Sequence, residues 1–274
     1  MDGLNFRTRN MKKVIYAIII LVTIAILLWQ VKNFADARFL DSGLVGYWAF
    51  EDAPSATAID KSGKGNNATL TNGPKYTNGK IGQALDFDIV NDFVVIPAGA
   101  SLRGLGAATI SLWYKPKANP INNTGIYYES TASTAFSRFA IFHQANGDLR
   151  GIMRDTDAGT SFEAIQTGGA NTPNQWIHAA LTFSDATNDL ILYRNAVQVA
   201  INGAAKGSFT TGAPIDQIAI GSYTQTPQRF INAVIDEVRI YNRALSTSEI
   251  HQLYIQGVKS RGTPNSSLSN PFIW

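Results

Sequence analysis

Residues 234–250 read VIDEVRIYNRALSTSEI, a strand pattern followed almost at once by the start of a helix. Across 234–241 apolar and polar side chains alternate, which predicts a β-strand with one buried and one polar face. Turn signals such as Asn72-Gly73-Pro74 separate most of the other segments with strand character. Because many short strands occur with no helices between them, we predict an all-β fold, either a sandwich or a jelly roll. The other predicted strands are 44–50, 84–87, 93–96, 109–115, 125–129, 139–143, 149–154, 161–166, 176–183, 190–194, 198–201 and 217–221.

The same stretch predicts one short C-terminal helix. Ser246 and Glu249 form a capping box, in which each side chain accepts a hydrogen bond from the other residue's backbone N–H. Leu245 and Ile250 flank the cap as a hydrophobic staple. Gly257 is predicted to end the helix, because glycine readily adopts the left-handed conformation found just beyond helix C-termini.

The composition of the chain excludes some classes of function. Hydrophobic residues make up 45% of its 274 residues, which is enough for a buried core. The formal net charge is +3, and the extreme N terminus accounts for it, because Arg7, Arg9, Lys12 and Lys13 outnumber Asp2 there. The rest of the chain is formally neutral, so we predict no nucleic-acid partner. The chain has no cysteine, which excludes disulfides and thiolate metal sites.

The N-terminal region contains an apolar run without a charged side chain, VIYAIIILVTIAILLW at 14–29. As a helix this run would span about 24 Å, slightly less than the roughly 30 Å of a bilayer core. We therefore predict a transmembrane anchor or a signal helix over 14–31, through which the chain contacts the lipid bilayer. Because Lys12 and Lys13 precede the run, the positive-inside rule puts 1–13 in the cytoplasm and the body of the chain outside.

Two interpretations of this N-terminal segment stay open. An uncleaved segment gives a single-pass membrane protein, whereas cleavage after Ala37, in the small-x-small site Ala35-Asp36-Ala37, gives a secreted one. The predicted organisation is a cytoplasmic basic region at 1–13, the anchor or signal at 14–31, a linker at 32–42, one jelly-roll domain at 43–257 and a flexible tail at 258–274.

A series of motifs in the body occurs in an order that resembles a known family. The series is GYWAFE at 46–51, GQALDF at 82–87, TISLW at 109–113, WIHAALT at 176–182 and IDEVRIYNRAL at 235–245. Over 44–256 the chain resembles the laminin G-like, concanavalin A-like lectin/glucanase jelly rolls, which are related to the pentraxins. The resemblance implies two packed antiparallel sheets, so the expected fold class is an all-β, two-sheet antiparallel jelly-roll sandwich. The fold hosts sugar binding, protein adhesion, calcium binding and glucan hydrolysis, so the activity must be argued from sites.

The candidate catalytic residues do not predict an enzyme. Glycan hydrolysis needs two carboxylates that face each other across the substrate. The hydrolases of the resembled family carry Glu-x-Asp-x-Glu along one strand, and this sequence contains no such run. The nearest pair is Asp86 and Asp88, which we predict to lie on a solvated face. His143, His178 and His251 are scattered along the chain and are predicted to be structural.

A structural calcium ion is one hypothesis for the glycine-rich loop that begins at Asp60. In pentraxins two acidic loops hold calcium, but the matching loops here, 130–137 and 222–229, contain no Asp or Glu, so that site is predicted to be lost. Asp60 and Asn66 offer oxygen ligands, and Asp236 would join them if the first and last strands pair. The alternative is an Asx turn with an exposed Asp236. We predict no other cofactor.

Carbohydrate binding would use exposed aromatic faces with polar groups beside them. The candidate ligand contacts are Tyr127, Tyr128, Tyr223 and Gln225. The first functional hypothesis is a non-catalytic binding or adhesion module, membrane-tethered or secreted, that recognises a carbohydrate or a protein outside the membrane. The second is a structural surface component or spacer without glycan binding. A degenerate glucanase ranks third.

Overall fold

The structure is a computed structural model of the whole chain. It describes residues 11, 13–28, 40–100, 105–120, 122–131, 137–154, 160–168, 172–206, 215–222 and 229–259. The chain divides into two compact units, Met1–Ser42 and Gly43–Trp274. The finer domain boundaries given above stay predictions.

In the described part of the first unit, helix α1 covers 13–28. Its side chains are exposed all round, including Tyr16, Leu21 and Leu28. No helix in the described part of the chain combines the length and the apolar character that crossing a membrane requires. The anchor and the signal helix both stay predictions.

The second unit is a sandwich of two antiparallel sheets with one C-terminal helix, as the sequence predicted. Sheet A has the strand order β14-β13-β12-β7-β16-β5-β4, and β1 also pairs with β16. Sheet B has the order β11-β10-β9-β8-β15-β6-β3-β2. A 3-10 turn at Ala98–Ala100 and helix α2 at Thr247–Lys259 complete the described elements. The strands are β1 Leu44–Trp48, β2 Thr57–Ala58, β3 Ala68–Thr71, β4 Lys75–Asn78, β5 Gln83–Asp88, β6 Phe93–Ile96, β7 Ala107–Pro116, β8 Thr124–Thr131, β9 Ser137–His143, β10 Leu149–Arg154, β11 Ser161–Ile165, β12 Ile177–Ser184, β13 Asp189–Arg194, β14 Val197–Asn202, β15 Ile215–Ile220 and β16 Asn232–Tyr241.

Every predicted strand is present, and the structure adds β2, β3 and β4. These three strands were missed because they are short and carry little apolar alternation. Strand β4, for example, reads KYTN, with its two end residues exposed. Strands β2 and β4 end their sheets, so each is paired on one side only and needs less apolar surface.

The core lies between the two sheets and consists mainly of aromatic and branched aliphatic side chains. Each large side chain removed from water contributes about 1.5–3 kcal/mol to folding. Trp48 is fully buried and donates its indole N–H to the backbone oxygen of Asn66 at 3.0 Å. Gly46 lies against its ring, since a Cβ there would be 2.3 Å from the indole. The largest other members are Phe50, Leu85, Phe87, Tyr114, Tyr127, Phe139 and Phe183.

Helix α2 begins as predicted but does not end as predicted. The backbone N–H of Ser246 donates to Glu249 Oε2 at 2.8 Å, and the N–H of Glu249 donates to Ser246 Oγ at 3.4 Å, which confirms the capping box. The prediction that Gly257 ends the helix is wrong, because α2 continues to Lys259. Gly257 instead packs against Trp113, where a Cβ would be 2.5 Å from the indole nitrogen. The glycine is needed for this close approach of the helix.

Candidate functional site

An open cleft of about 430 Å³ lies at one side of the sandwich. It forms where β4, the last strand of sheet A, comes near β2 and β3 at the end of sheet B. The lining is mainly apolar, with a few polar groups. It comprises Ala53, Pro54, Ser55, Ala56, Leu70, Gly73, Pro74, Lys75 and Tyr76. A concave, mainly apolar site with few polar groups is the usual form of a ligand-binding site.

Tyr76 supplies the most distinctive polar group of the cleft. Its ring packs against the core between the sheets, together with Leu70. Its hydroxyl is buried and has no hydrogen-bond partner among the described residues. Burial, with a smaller contribution from the charge of Asp52, raises the pKa of Tyr76, so the hydroxyl stays protonated. The hydroxyl is therefore an unused donor that lies beneath the surface of the cleft.

The rim of the cleft carries a positive charge. Lys75 is exposed and forms no salt bridge within the described residues. The nearby loop is charge-balanced, because Lys61 pairs with Asp52 at 3.1 Å. Asp52 also accepts the backbone N–H of Ile59 at 2.9 Å. Lys75 is thus the rim charge available to a ligand.

The predicted ligand residues do not line this cleft. Tyr127 and Tyr128 are both fully buried, so as described neither offers a face to a ligand. Tyr127 belongs to the core and donates its hydroxyl to Glu129 at 3.2 Å. Tyr128 packs with Ala140, Phe142 and Ile152 in a second apolar cluster. Tyr127 and Tyr128 are unavailable to a ligand because other residues cover both faces of β8. Tyr223 and Gln225 lie outside the described residues.

The structure brings Asp60 and Asn66, two of the three predicted calcium ligands, together. Hydrogen bonds from other groups already occupy the Asp60 carboxylate. Its carboxylate accepts hydrogen bonds from the backbone N–H groups of Tyr47 at 3.0 Å, Ser62 at 2.8 Å and Asn66 at 2.9 Å, and from the Ser62 hydroxyl at 2.8 Å. Although burial opposes the change, these hydrogen bonds lower the pKa of Asp60. A carboxylate has about four lone-pair sites. Asp60 therefore does not fit a calcium ion as it stands.

Asp236 is placed on β16, which pairs with β1 as anticipated, but the side chain has other partners. It is fully buried rather than exposed. Its Oδ2 accepts the backbone N–H groups of Lys80 at 2.8 Å and Ile81 at 3.0 Å, while Oδ1 has no partner among the described residues. Burial, helped by the neighbouring charge of Glu237, raises the pKa of Asp236 to about 8. Asp236 thus holds the Lys80–Ile81 turn and makes no hydrogen bond to Asp60.

Of the acidic and histidine residues considered for catalysis, Asp88 and His251 are exposed, whereas Asp86, His143 and His178 are held in structural surroundings. Asp86 forms a salt bridge with Lys117. Burial lowers the pKa of His143 to about 4 and that of His178 to about 3, so both are neutral near pH 7. His178 Nε2 is 2.9 Å from Ser111 Oγ. Within the described residues no group of three or more His, Cys, Asp or Glu side chains is arranged to hold a metal ion.

The cleft was missed at the level of sequence because its residues come from three separate segments. Asn72-Gly73-Pro74 was identified only as a turn signal, and 53–56 and 75–76 carried no motif. The only sequence feature that could have pointed to the cleft was the presence of two prolines and a tyrosine within 54–76.

Comparisons with known proteins relate this geometry to a family. The profile of a laminin G family, described as the concanavalin A-like lectin/glucanases superfamily, matches residues 88–251. The adhesion G-protein coupled receptor V1 of Danio rerio is 25% identical over 162 residues, which cover 56% of this chain and 2% of the receptor.

Two solved structures have the same fold at low sequence identity. Trypanosoma rangeli sialidase superposes with a TM-score of 0.60 at 17% identity, covering 80% of this chain and 33% of the sialidase chain. The binding domain of Paraclostridial Mosquitocidal Protein 1 gives a TM-score of 0.61 at 18% identity, covering 78% of this chain and 52% of that chain. At this identity the likeness shows the fold alone.

Proposed function

Because this chain belongs to the concanavalin A-like lectin/glucanases superfamily, we propose that it is a non-catalytic binding or adhesion module that recognises carbohydrate or protein. The observation that carries the proposal is the apolar cleft, beneath whose surface lies the unused Tyr76 hydroxyl. No Asp or Glu is among its lining residues, so a ligand there would be held and not hydrolysed. A relative named as an adhesion receptor and a structural neighbour described as a toxin binding domain support this class of function.

The proposed location is outside the membrane, with the domain held by the segment 14–31. Support comes from the apolar run at 14–29, from Lys12 and Lys13 before it, and from the likeness to an adhesion receptor. Release after Ala37 is the alternative. The N-terminal residue of the exported protein distinguishes the two, because release gives Arg38 and retention gives Met1 or Met11.

Replacing Tyr76 by Phe tests the cleft directly. For a ligand that reaches the buried hydroxyl we expect the affinity to fall about fivefold, because one hydrogen bond in a buried site contributes on the order of 1 kcal/mol. The free protein should melt at the same temperature or slightly higher, since the substitution removes a buried hydroxyl without a partner. The full chain in mild detergent is screened on a glycan array, and the affinity of each bound glycan is then measured by calorimetry.

The matched control for this experiment is Val197→Ala, which shortens an exposed side chain on β14 at the other end of sheet A. Glycan binding that survives Tyr76→Phe unchanged would contradict the proposed site. An array without any bound glycan favours the second candidate, a structural surface component. Release of reducing sugar from a β-glucan would instead support the degenerate glucanase.

The calcium hypothesis at Asp60, Asn66 and Asp236 is tested by melting the protein with excess calcium and with chelator. A ligand that binds the native state must raise the melting temperature. Because the Asp60 carboxylate already accepts four hydrogen bonds, we expect the two melting temperatures to agree. A higher melting temperature in calcium, abolished by Asp60→Asn, would establish the ion.

A further inference from the structure

The turn between β5 and β6 holds two apolar side chains in solvent. Ile89 is 48% exposed and Val90 is 66% exposed; we call this pair the tip. Ile89 has φ +71°, a left-handed conformation that is costly for a β-branched residue and free of strain for glycine. A strained backbone that displays an apolar side chain points to a functional reason for the exposure.

Hydrogen bonds fix the conformation of the tip. Asp88 Oδ1 accepts the backbone N–H of Val90 at 2.8 Å, and the Asp88 N–H donates to Asp92 Oδ2 at 3.1 Å. The N–H of Ile89 donates to the backbone oxygen of Ile231 at 3.2 Å. The two apolar side chains are therefore presented by a defined turn.

The tip lies next to the cleft. The side-chain amide of Asn72 donates to the backbone oxygen of Asn91 at 2.9 Å, which ties the turn after β3 to the turn that carries the tip. The residues that follow Asn72, Gly73 and Pro74, line the cleft. An apolar projection and an apolar cleft thus lie side by side on one chain. This is the arrangement that a two-fold pair requires, in which each copy gives its projection to the other.

The charges beside the tip and the cleft are of opposite sign. Asp88, beside the tip, is exposed and forms no salt bridge within the part of the chain that the structure describes. Lys75, on the rim of the cleft, is also exposed and forms no salt bridge with any described residue. The tip has no aromatic ring for stacking on a sugar. A second copy of the chain offers both the apolar cleft and the lysine.

We infer that the cleft binds the tip of a second copy of this chain, so that a two-fold pair forms with Asp88 of each copy near Lys75 of the other. The inference rests on the proposed function, because it names the protein ligand of the same cleft. With this self-complementary contact the module is homophilic, which means that it binds a second copy of the same chain.

Cysteine cross-linking tests the pairing, and the natural chain has no cysteine to interfere. Full-length Val90→Cys is mixed with full-length Ala56→Cys, which is an exposed lining residue of the cleft, and the mixture is oxidised. A disulfide needs Cβ atoms within about 4.5 Å, so it reports close contact. The control mixture pairs Ala56→Cys with Val197→Cys, because Val197 is 64% exposed and on the distant strand β14. We expect the first mixture to cross-link at least tenfold faster. Equal rates would overturn the inference.

Ile89→Gly provides the second readout. The substitution should weaken self-association on the order of 100-fold, because each of the two contacts in the pair loses one apolar side chain. It should also raise the melting temperature, because glycine relieves the positive φ. Self-association is measured by sedimentation of the full chain in detergent. Self-association unchanged by Ile89→Gly contradicts the inference even if the protein is stabilised.

The two proposals fail in distinguishable ways. Cross-linking at the control rate, with glycan binding that Tyr76→Phe weakens, rejects the homophilic pair and keeps the binding cleft. Fast cross-linking without any glycan binding supports the pair and rejects the carbohydrate ligand. Cross-linking at the control rate without Tyr76-dependent binding rejects both.

Discussion

Asp236→Asn is expected to remove a large pH dependence of stability from the domain. Asp236 is fully buried, and only its Oδ2 has hydrogen-bond partners, the N–H groups of Lys80 and Ile81. Burial and then the charge of Glu237 raise its pKa from 3.8 to about 8. Asparagine keeps the accepting oxygen and cannot ionise, so the turn at Lys80 is retained while the titration is lost.

The sign of the pH effect follows from the raised pKa of Asp236. Between pH 4 and pH 8, this carboxyl is protonated in the folded state and ionised in the unfolded state, so unfolding releases a proton. The stability present below about pH 4 is therefore lost as the pH rises through about 8. A tenfold change in proton affinity between the two states corresponds to about 1.4 kcal/mol, so the loss amounts to several kcal/mol.

Urea unfolding at pH 5, 7 and 9 measures this effect. The lowered pKa values of His143 and His178 act in the other direction, since they reduce stability as the pH falls below the ordinary value of 6.5. The difference between Asp236→Asn and the natural protein cancels those contributions. This difference in the free energy of unfolding should increasingly favour the variant as the pH rises from 5 to 8. Asp41→Asn serves as the control, because it makes the same substitution at an exposed side chain. If the free energies of unfolding of Asp236→Asn and of the natural protein changed with pH in parallel, the raised pKa of Asp236 would be contradicted.

Trp48→Ala is expected to destabilise the domain by about 3–5 kcal/mol, the range for removing a large aromatic side chain from a core. The ring is fully buried, and its N–H holds the backbone of Asn66. The loss of this hydrogen bond also loosens the loop that Asp60 organises through the N–H of Asn66.

Chemical unfolding compares this variant with Trp176→Ala. Trp176 is only half-buried, with Lys115 Nζ 5.3 Å from its ring, and its removal should cost about 1 kcal/mol or less. A native-like Trp48→Ala protein with the stability of Trp176→Ala would mean that the indole does not fill the core as described.

The sheets were predictable because half-buried strands leave a period-two pattern. Strand β1, in which every second residue is buried, shows it clearly, and the capping box at Ser246 marks the start of α2. The polar face predicted for β16 is wrong, because this strand lies inside sheet A and is buried on both faces. The short strands β2 to β4 leave no such pattern, because two of them end their sheets and bury little. Gly257 was misinterpreted because its packing on Trp113 depends on a residue far away in the sequence.

The candidate site was less predictable than the fold. Tyr127 and Tyr128 are consecutive, so alternation predicts that one of them faces solvent, yet both faces of β8 are covered. The cleft lies between segments that are separated in the sequence, so no local sequence pattern indicates it. Tyr76 became a candidate only when the packing revealed its hydroxyl without a partner.

Hydrogen exchange of the full chain tests the central claim, which is that the module binds through the cleft beside Tyr76. Amides are compared with and without a glycan found on the array, and at low and high protein concentration. We predict protection at Ala53–Ala58 and at Leu70–Tyr76, with additional protection at Ile89–Asn91 when protein concentration is raised. Protection confined to other parts of the sandwich, with these segments unchanged, would contradict the account.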